Sequence, residues 1–213
     1  MNLLFDLDGT LTDPKEGITA SIRFAMQGLG MPLGAEVDLD WCIGPPLQQS
    51  FAKLLGLPER SAEALALYRQ RFGTVGKFEN KVYPGIEDAL RQLSQRASLY
   101  VATSKPSLYA AQIIQHFGLA HYFKQVHGSE MDGRNTDKAE LIASIMAQHA
   151  LDPATTLMIG DREHDIIGAR KNGLRGIGVL WGYGSREELM GAGADLMIEA
   201  PLFLPLALAL HVV

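Results

Sequence analysis

The sequence has little or nothing of several features that are typical of particular protein classes. It contains one cysteine, Cys42, so no disulfide can form within the chain, which indicates a reducing, cytoplasmic environment. Cys42 has no basic neighbour in sequence that would favour its thiolate, and we expect it to be a small buried hydrophobe. The N-terminus has no basic residue before its apolar stretch and reaches a carboxylate at Asp6, unlike a signal peptide.

The chain also lacks long apolar runs, a strong charge imbalance and the Gly-rich P-loop sequence of NTPases. Residues 202–213 are apolar but fall short of the roughly 20 residues that span a bilayer, so we expect a packed terminal helix whose start is fixed by Pro201 and Pro205. Lys and Arg number 19 and Asp and Glu 24, a net charge of −5 that gives no attraction to nucleic acid or anionic lipid. We therefore predict no nucleic-acid or membrane partner, and either a monomer or a homodimer formed through the apolar tail.

The residues that are present suit a large buried core, since 47% of the 213 residues are hydrophobic. Residues from about 16 to 80 show apolar side chains at helical spacing in three successive segments, with no strand-like alternation. After Pro84-Gly85 the pattern changes, and short apolar strands alternate with amphipathic helices. The expected strands cover residues 3–5, 98–102, 124–127, 156–159, 176–180 and 195–198, and the expected helices residues 86–93, 108–117, 139–149 and 165–172.

This alternation predicts an α/β fold, a doubly wound parallel sheet with helices on both faces. The helical block after the first strand indicates an all-helical domain inserted over that sheet. We place the core domain at residues 1–14 and 82–213 and the inserted helical domain at residues 15–81. Parallel sheets bind ligands at the carboxyl ends of their strands, so the polar residues that follow the expected strands are the candidates for a functional site.

The first candidate is the acidic pair Asp6 and Asp8, which directly follows the first apolar strand. Two carboxylates held this close disfavour each other's ionisation, and a divalent cation relieves that cost. The surrounding motif offers only oxygen ligands, which suit Mg²⁺, and no histidine or thiolate, which argues against zinc. The alternative is a simple turn, because the Asp8-Gly9 dipeptide is common in turns.

A second acidic cluster, Asp161 and Asp165, follows a second apolar strand. The two residues are four apart, so they share a face if the helix begins at Asp161. Asp161 could equally be the N-cap of that helix, a role that is compatible with a place at the edge of the sheet. Two acidic clusters at strand ends of one parallel sheet favour a metal site over isolated turns.

Phosphate recognition requires cations or hydrogen-bond donors, and the same strand ends offer both. Thr103 and Ser104 end the middle strand near the expected start of a helix, where hydroxyls and backbone N–H groups can bind an anion. Lys138 opens a helix, a position that is unfavourable for the helix dipole and so indicates another use. Thr103 could instead form a local turn, and Lys138 could be solvated. Lys105 is the rival cation, and we favour Lys138.

The combined motifs resemble those of haloacid dehalogenase-superfamily hydrolases over essentially the whole chain. The matching segments, in order, are Asp6–Asp13, Val101–Pro106, Lys138 and Gly160–Asp165. The helical block between the first two resembles the small helical cap of that superfamily. Within it, residues 43–47 are similar to cap segments of the phosphoglycolate phosphatase-like members, some of which are 5′-nucleotidases.

The resemblance implies a Mg²⁺-dependent phosphatase that hydrolyses a small phosphorylated metabolite, such as phosphoglycolate or a nucleoside 5′-monophosphate, through an aspartyl-phosphate. Asp6 would be the nucleophile and Asp8 the general acid and base, while Thr103 and Lys138 would hold the phosphoryl oxygens. The implied Mg²⁺ ligands are Asp6, Asp8 through its backbone carbonyl, Asp161 and Asp165. The implied substrate- or phosphate-binding residues are Leu7, Ser104, Gly44, Pro45 and Pro46.

Several rival functions share parts of this pattern. Dehalogenating members of the superfamily lack a carboxylate at the position of Asp8, and phosphonatase chemistry would require a cap lysine, for which nothing distinguishes Lys53 or Lys77. A phosphomutase of the same superfamily would keep the same core. A receiver-type phosphoacceptor domain would be shorter, without the helical insertion. A non-catalytic partner-binding protein would have no need of the complete set of acidic and basic residues.

Overall fold

The computed structural model of the protein describes residues 1–211. Residues 212 and 213, the last two of the apolar tail and of the expected core domain, lie outside the described residues. The chain divides into two compact units. One, the α/β unit, consists of residues 1–13 and the chain from residue 82 onward, and the other, the helical unit, consists of residues 14–81.

Strands and helices within residues 1–211 follow the expected order. The strands are β1 (Asn2–Phe5), β2 (Thr12–Asp13), β3 (Lys81–Val82), β4 (Ser98–Pro106), β5 (Phe123–Ser129), β6 (Thr156–Gly160), β7 (Arg175–Val179) and β8 (Leu196–Ile198). The α-helices are α1 (Lys15–Gly28), α2 (Leu47–Leu55), α3 (Ser61–Phe72), α4 (Ile86–Leu93), α5 (Ser107–His116), α6 (Lys138–His149), α7 (Glu163–Lys171), α8 (Arg186–Ala192) and α9 (Leu204–His211).

Six of the strands form one sheet in the order β5-β4-β1-β6-β7-β8, and every adjacent pair is parallel. The central strand β1 is buried on both sides of the sheet. Leu3 and Phe5 belong to one apolar cluster, which includes residues of α4 and α5, and Leu4 belongs to a second, which includes residues of α6 and α7. This burial explains the uninterrupted apolar run of β1. The predicted doubly wound α/β fold is confirmed.

Two differences from the expected elements bear on the site. Strand β4 continues past residue 102 to Pro106, so its polar residues are part of the sheet rather than of a loop. Helix α8 was not expected, because its seven residues are too short for a clear apolar periodicity. Its signal is a capping sequence: the side chain of Ser185 accepts a hydrogen bond from the backbone N–H of Glu188 at 3.1 Å.

The helical unit contains α1, α2 and α3, in agreement with the apolar spacing of residues 16–80. Phe51, Tyr68 and Phe72 are buried, and the Tyr68 ring contacts both Phe51 of α2 and Phe72 of α3. The guanidinium of Arg71 lies 2.6 Å from a carboxylate oxygen of Glu79, which ties the end of α3 to the last segment of the unit. Cys42 is 1% exposed, and burial raises the pKa of its thiol to about 12, as expected for an inert buried residue.

The C-terminal segment begins with a 3₁₀ turn at Pro201–Phe203 and continues as α9. Leu204 and Leu208 are buried against the α/β unit, whereas Leu206 and Leu210 are exposed. The tail is therefore packed on one side only. Among residues 1–211, no helix combines the length and the hydropathy that are needed to cross a membrane.

Candidate active site

Asp6 and Asp8 lie where β1, the central strand of the sheet, ends and turns. The backbone N–H of Asp6 donates to the carbonyl of Ile159 at 2.9 Å, which extends the pairing of β1 with β6 by one residue. Gly9 then adopts a positive φ of 83°, a backbone conformation that glycine tolerates and that reverses the chain. Asp6 and Asp8 are 5% and 8% exposed, so both carboxylates are buried and require partners.

Asp161 and Asp165 follow β6, the neighbouring strand. The expectation that they share a helix face from Asp161 onward, or that Asp161 is the N-cap, is wrong. The backbone stays extended through Arg162 (φ −120°, ψ 157°), which is the N-cap, and α7 begins at Glu163. Asp165 is in the first turn, where its Oδ2 accepts from the N–H of Arg162 at 3.2 Å. Asp161 is thus left free of the helix and able to face Asp6.

Asp6, Asp161 and Asp165 form a buried acidic cluster, in which one carboxylate oxygen from each lies within 4.8 Å of the others. Burial raises the pKa of Asp161 well above its usual value, and the charges of Asp165 and Asp6 raise it further. The pKa of Asp165 rises to about 6, mainly through burial, although Lys138 opposes the rise. Three oxygen donors whose charges repel one another fit a hard divalent cation such as Mg²⁺.

Lys138 provides a positive charge inside this cluster. Its Nζ lies 3.0 Å from Asp6 Oδ1 and 2.8 Å from Asp165 Oδ1, and it donates to the carbonyl of Ala102 at 2.9 Å. Burial acts to lower the pKa of Lys138, but the charges of Asp165 and Asp6 outweigh it, so the pKa is raised. The ammonium therefore stays charged, and this contact offsets the unfavourable place of a lysine in the first turn of α6.

Lys105, the rival cation, also lies beside an acidic residue of the site, so the structure brings both lysines to the acidic residues. Lys105 Nζ lies 2.7 Å from Asp8 Oδ2. Thr103 and Lys105 alternate with the half-buried Ser104 along β4, so the two buried side chains share a face of the strand. Burial raises the pKa of Asp8, and Lys105 opposes that rise.

Thr103 and Ser104 lie on β4, four and three residues before α5 begins at Ser107. Thr103 is buried, and its Oγ1 accepts from the N–H of Lys105 at 3.3 Å, which is the local turn contact considered as an alternative. Its hydroxyl proton can still be donated to another acceptor. Ser104 donates its hydroxyl to the carbonyl of Thr136 at 3.2 Å, which anchors the loop before α6.

The sequence analysis assigned no role to the segment after β7, yet that segment holds Asp161 in place. Asp161 accepts two hydrogen bonds, from the hydroxyl of Thr10 at 3.1 Å and from the N–H of Tyr183 at 2.8 Å. Trp181 donates its indole N–H to the carbonyl of Thr10 at 2.9 Å, and the hydroxyl of Tyr183 donates to Asp13. The segment thereby links the turn after β1 to the acidic cluster.

Glycines make this close packing possible. A Cβ added to Gly182 would lie 2.4 Å from Asp161 Oδ2, and one added to Gly9 would lie 2.1 Å from the same atom. A Cβ added to Gly184 would lie 1.9 Å from the backbone carbonyl oxygen of Asp161. The Gly182-Tyr183-Gly184 sequence, which begins three residues after the end of the apolar strand β7, is the signal that could have identified this segment.

The site therefore combines two buried carboxylates, Asp6 and Asp8, each paired with its own lysine, and an acidic cluster that could hold a metal ion. The chain matches the model of a family described as haloacid dehalogenase-like hydrolases over residues 3–179. The protein belongs to this family. The predicted resemblance and the predicted class of enzyme, a hydrolase of the haloacid dehalogenase-like phosphatase type, are confirmed.

Several named proteins and solved structures are similar to the chain. It is 48% identical over 190 residues to a 5′-nucleotidase of Pseudomonas aeruginosa, and the aligned region covers 88% of this chain and 86% of that protein. The crystal structure of a predicted phosphatase from Clostridium acetobutylicum superposes with a TM-score of 0.94 at 41% identity, covering 98% of this chain and 97% of that one. The tyrosine-protein kinase PtkA of Mycobacterium tuberculosis is 35% identical over 200 residues, 93% of this chain and 68% of that protein.

The remaining site residues that the family resemblance implied are placed as follows. Leu7 is fully buried in the core, so any contact with a phosphate would come from its backbone N–H. Gly44, Pro45 and Pro46 belong to the helical unit, in the segment that leads into α2. Their contact with a substrate stays a prediction.

Proposed function

We propose that the protein is a Mg²⁺-dependent phosphatase that hydrolyses a small phosphomonoester through a phosphorylated Asp6. One observation carries this proposal: Asp6 and Asp8, two residues apart, have different partners. Asp6 lies with Asp161, Asp165 and Lys138 in the acidic cluster, whereas Asp8 is paired with Lys105. Two neighbouring carboxylates in different environments are the arrangement expected of a nucleophile and a separate acid.

In the first step, an oxygen of Asp6 attacks phosphorus, and the bond from phosphorus to the ester oxygen breaks. Asp8 donates its proton to the departing alkoxide, which leaves as an alcohol. Burial raises the pKa of Asp8, so burial favours the protonated form that this step requires. In the second step Asp8, now a carboxylate, takes a proton from water as the water attacks phosphorus, and Asp6 and phosphate are released.

Positive charge at Asp6 is necessary because an anionic nucleophile approaches an anionic phosphate. Lys138, 3.0 Å from Asp6, supplies one charge and orients the carboxylate. The hydroxyl proton of Thr103 is available for a phosphoryl oxygen. Mg²⁺ supplies further neutralisation of phosphoryl oxygens when bound, and Asp6, Asp161, Asp165 and the backbone carbonyl of Asp8 would hold it.

For the substrate we propose a nucleoside 5′-monophosphate, with phosphoglycolate as the next class to test. The 48% identity to a 5′-nucleotidase supports the first, and weaker likeness to phosphoglycolate phosphatases of Vibrio, at 27% identity, supports the second. We further propose that residues 15–81 are the cap, with Gly44, Pro45 and Pro46 as its substrate-facing segment, and that the protein works in the cytoplasm on this small metabolite. The relative that is named a tyrosine kinase gives a second candidate, phosphoryl transfer to tyrosine.

A phosphate-release panel tests these proposals. It would cover nucleoside 5′-monophosphates, phosphoglycolate, sugar phosphates, phosphotyrosine and p-nitrophenyl phosphate, each with Mg²⁺ and with EDTA. We expect turnover that requires Mg²⁺ and is fastest with a nucleoside 5′-monophosphate. Asp6→Asn, which keeps the shape of the side chain, should lose at least about 10³-fold in kcat. The absence of any EDTA-sensitive release across the panel, or transfer from ATP to tyrosine without phosphatase turnover, would contradict the phosphatase.

A further inference from the structure

We propose that Lys105 is a positioning residue that holds Asp8 in the orientation required for proton donation, and that it acts through Asp8 rather than through the nucleophile or the metal. This inference rests on the proposed phosphatase function and assigns a role to a residue outside the expected catalytic set.

The first observation is that the two buried lysines contact different carboxylates. Lys138 contacts Asp6 and Asp165, on the metal side of the site, at 3.0 and 2.8 Å. Lys105 contacts Asp8 at 2.7 Å. The side chains of Lys105 and Asp8 are 6% and 11% exposed, so the pair is shielded from solvent. Each member of the Asp6–Asp8 motif therefore has its own cation.

The second observation is that Lys105 contacts one of the two carboxylate oxygens of Asp8. The contact is to Oδ2, while Oδ1 is buried and has no hydrogen-bond partner within residues 1–211. A charge-assisted contact at one oxygen restricts rotation of the carboxylate. The other oxygen is thereby left for the ester oxygen in the first step and for water in the second.

The place of Lys105 on the sheet makes its ammonium a fixed support. Lys105 is on β4, which pairs directly with β1, and Asp8 is in the turn that follows β1. The backbone N–H of Lys105 also donates to Thr103 Oγ1 at 3.3 Å, which ties the residue to a second expected catalytic group. A proton donor must be held within a fraction of an ångström of its productive position, and a support on a strand inside the sheet meets that need.

The leaving group provides the discriminating measurement. p-Nitrophenolate departs readily without a proton, whereas an alkoxide needs one, so loss of a well-placed acid affects alkyl esters more. The value of kcat/KM reports steps up to formation of phosphorylated Asp6 and is the quantity to compare. For Lys105→Met we expect kcat/KM to fall by at least about 10²-fold for the alkyl ester that the wild-type protein hydrolyses fastest, and by less than about tenfold for p-nitrophenyl phosphate.

A double variant shows whether Lys105 acts through Asp8. In Asp8→Asn the acid is absent, so adding Lys105→Met should change kcat/KM for p-nitrophenyl phosphate by less than about twofold. Removing both partners also avoids leaving a buried charge unpaired, so the comparison remains available if Lys105→Met alone fails to fold. Lys124→Met, which removes an exposed lysine from β5, is the matched control and should behave as the wild type.

Three results would overturn the inference. They are equal losses on both esters in Lys105→Met, a further loss when Lys105→Met is added to Asp8→Asn, and wild-type behaviour of Lys105→Met. All three require a wild-type protein that hydrolyses phosphomonoesters with Mg²⁺. A wild-type protein that hydrolyses none would instead reject the phosphatase function itself, and the two failures are therefore distinguishable.

Discussion

Lys138 Nζ lies 3.0 Å from Asp6 Oδ1, and the two side chains are only 4% and 7% exposed. The same ammonium lies 2.8 Å from Asp165, so one cation faces two carboxylates of the acidic cluster. Its loss would leave those carboxylates buried with no ammonium between them. The contact is therefore as important for the stability of the site as for its chemistry.

Lys138→Met should lower the free energy of unfolding by about 3–5 kcal/mol without metal, because a buried charge pair loses one partner. Added Mg²⁺ should restore part of that loss. Without the lysine the cluster carries more negative charge, so binding of a cation stabilises the variant more than the wild type. Urea unfolding with EDTA and with Mg²⁺ measures both effects. Lys124→Met, with its exposed lysine, should be within about 0.5 kcal/mol of the wild type, and an equal loss there would contradict a site-specific effect.

Mg²⁺ should stabilise the wild-type protein directly. At a concentration about 100 times its dissociation constant, binding adds about 2.7 kcal/mol, which is a rise of several degrees in thermal midpoint for a chain of this size. Asp161→Asn removes one of the mutually repelling carboxylates. It should therefore melt above the wild type in EDTA and gain little from Mg²⁺. A thermal melt with a metal titration checks both expectations, and an unchanged Mg²⁺ response in Asp161→Asn would mean that Asp161 is not a ligand.

Asp8→Asn should reduce kcat for an alkyl phosphate by about 10²–10⁴-fold with a much smaller change in KM, because proton donation belongs to the transition state. Steady-state kinetics separate the two constants. A change that is confined to KM would assign Asp8 to substrate binding instead of acid catalysis.

Gly182→Ala should disturb the metal site although Gly182 carries no functional group. The new Cβ would lie 2.4 Å from both Asp161 Oδ2 and the carbonyl oxygen of Gly9, so one of them must move. We expect at least about a tenfold loss in Mg²⁺ affinity and about 1–3 kcal/mol of stability. Gly191→Ala, in α8, meets no atom within 4 Å and is the matched control. Equal Mg²⁺ dependence of the thermal midpoint in both variants would argue against the close approach.

His127 should make stability depend on pH, independently of the active site. Its Nε2 lies 2.9 Å from Nε2 of His149, and burial, with the charge of His149, lowers the pKa of His127 to about 4. The unfolded chain, with a pKa near 6.5, binds the proton first as pH falls. The free energy of unfolding should therefore be fully retained above pH 6.5 and decline by about 2–3 kcal/mol down to pH 4.

Two histidine variants separate the contribution of His127 to the pH dependence of stability from the contribution of the acidic cluster. His127→Gln should show a flatter decline between pH 6.5 and 4 than the wild type. His121→Gln, at an exposed histidine, should follow the wild-type curve. Urea unfolding at several pH values provides the curves, and parallel curves for all three proteins would reject the assignment.

The sequence predicted the α/β fold and the acidic cluster because both follow from local patterns. Apolar runs of the strand β1 and its neighbours specify buried parallel strands, and the carboxyl ends of such strands meet at one edge of the sheet. The positions of Asp6, Asp161 and Asp165 after β1 and β6 were therefore enough to predict that they lie close together.

The pairing of the buried charges depended on contacts between residues far apart in the sequence, which no local pattern specifies. The pairing of Lys105 with Asp8 and of Lys138 with Asp6 follows from the order of strands in the sheet and from side-chain packing, so the sequence could name both lysines but could not assign them. The support of Asp161 by Tyr183 likewise requires the chain after β7 to approach Gly9 closely. The short-range periodicity of the sequence determines where the strands lie. The partner of each buried charge depends instead on packing between residues that are far apart in the sequence, because an unpaired charge in the folded interior is costly.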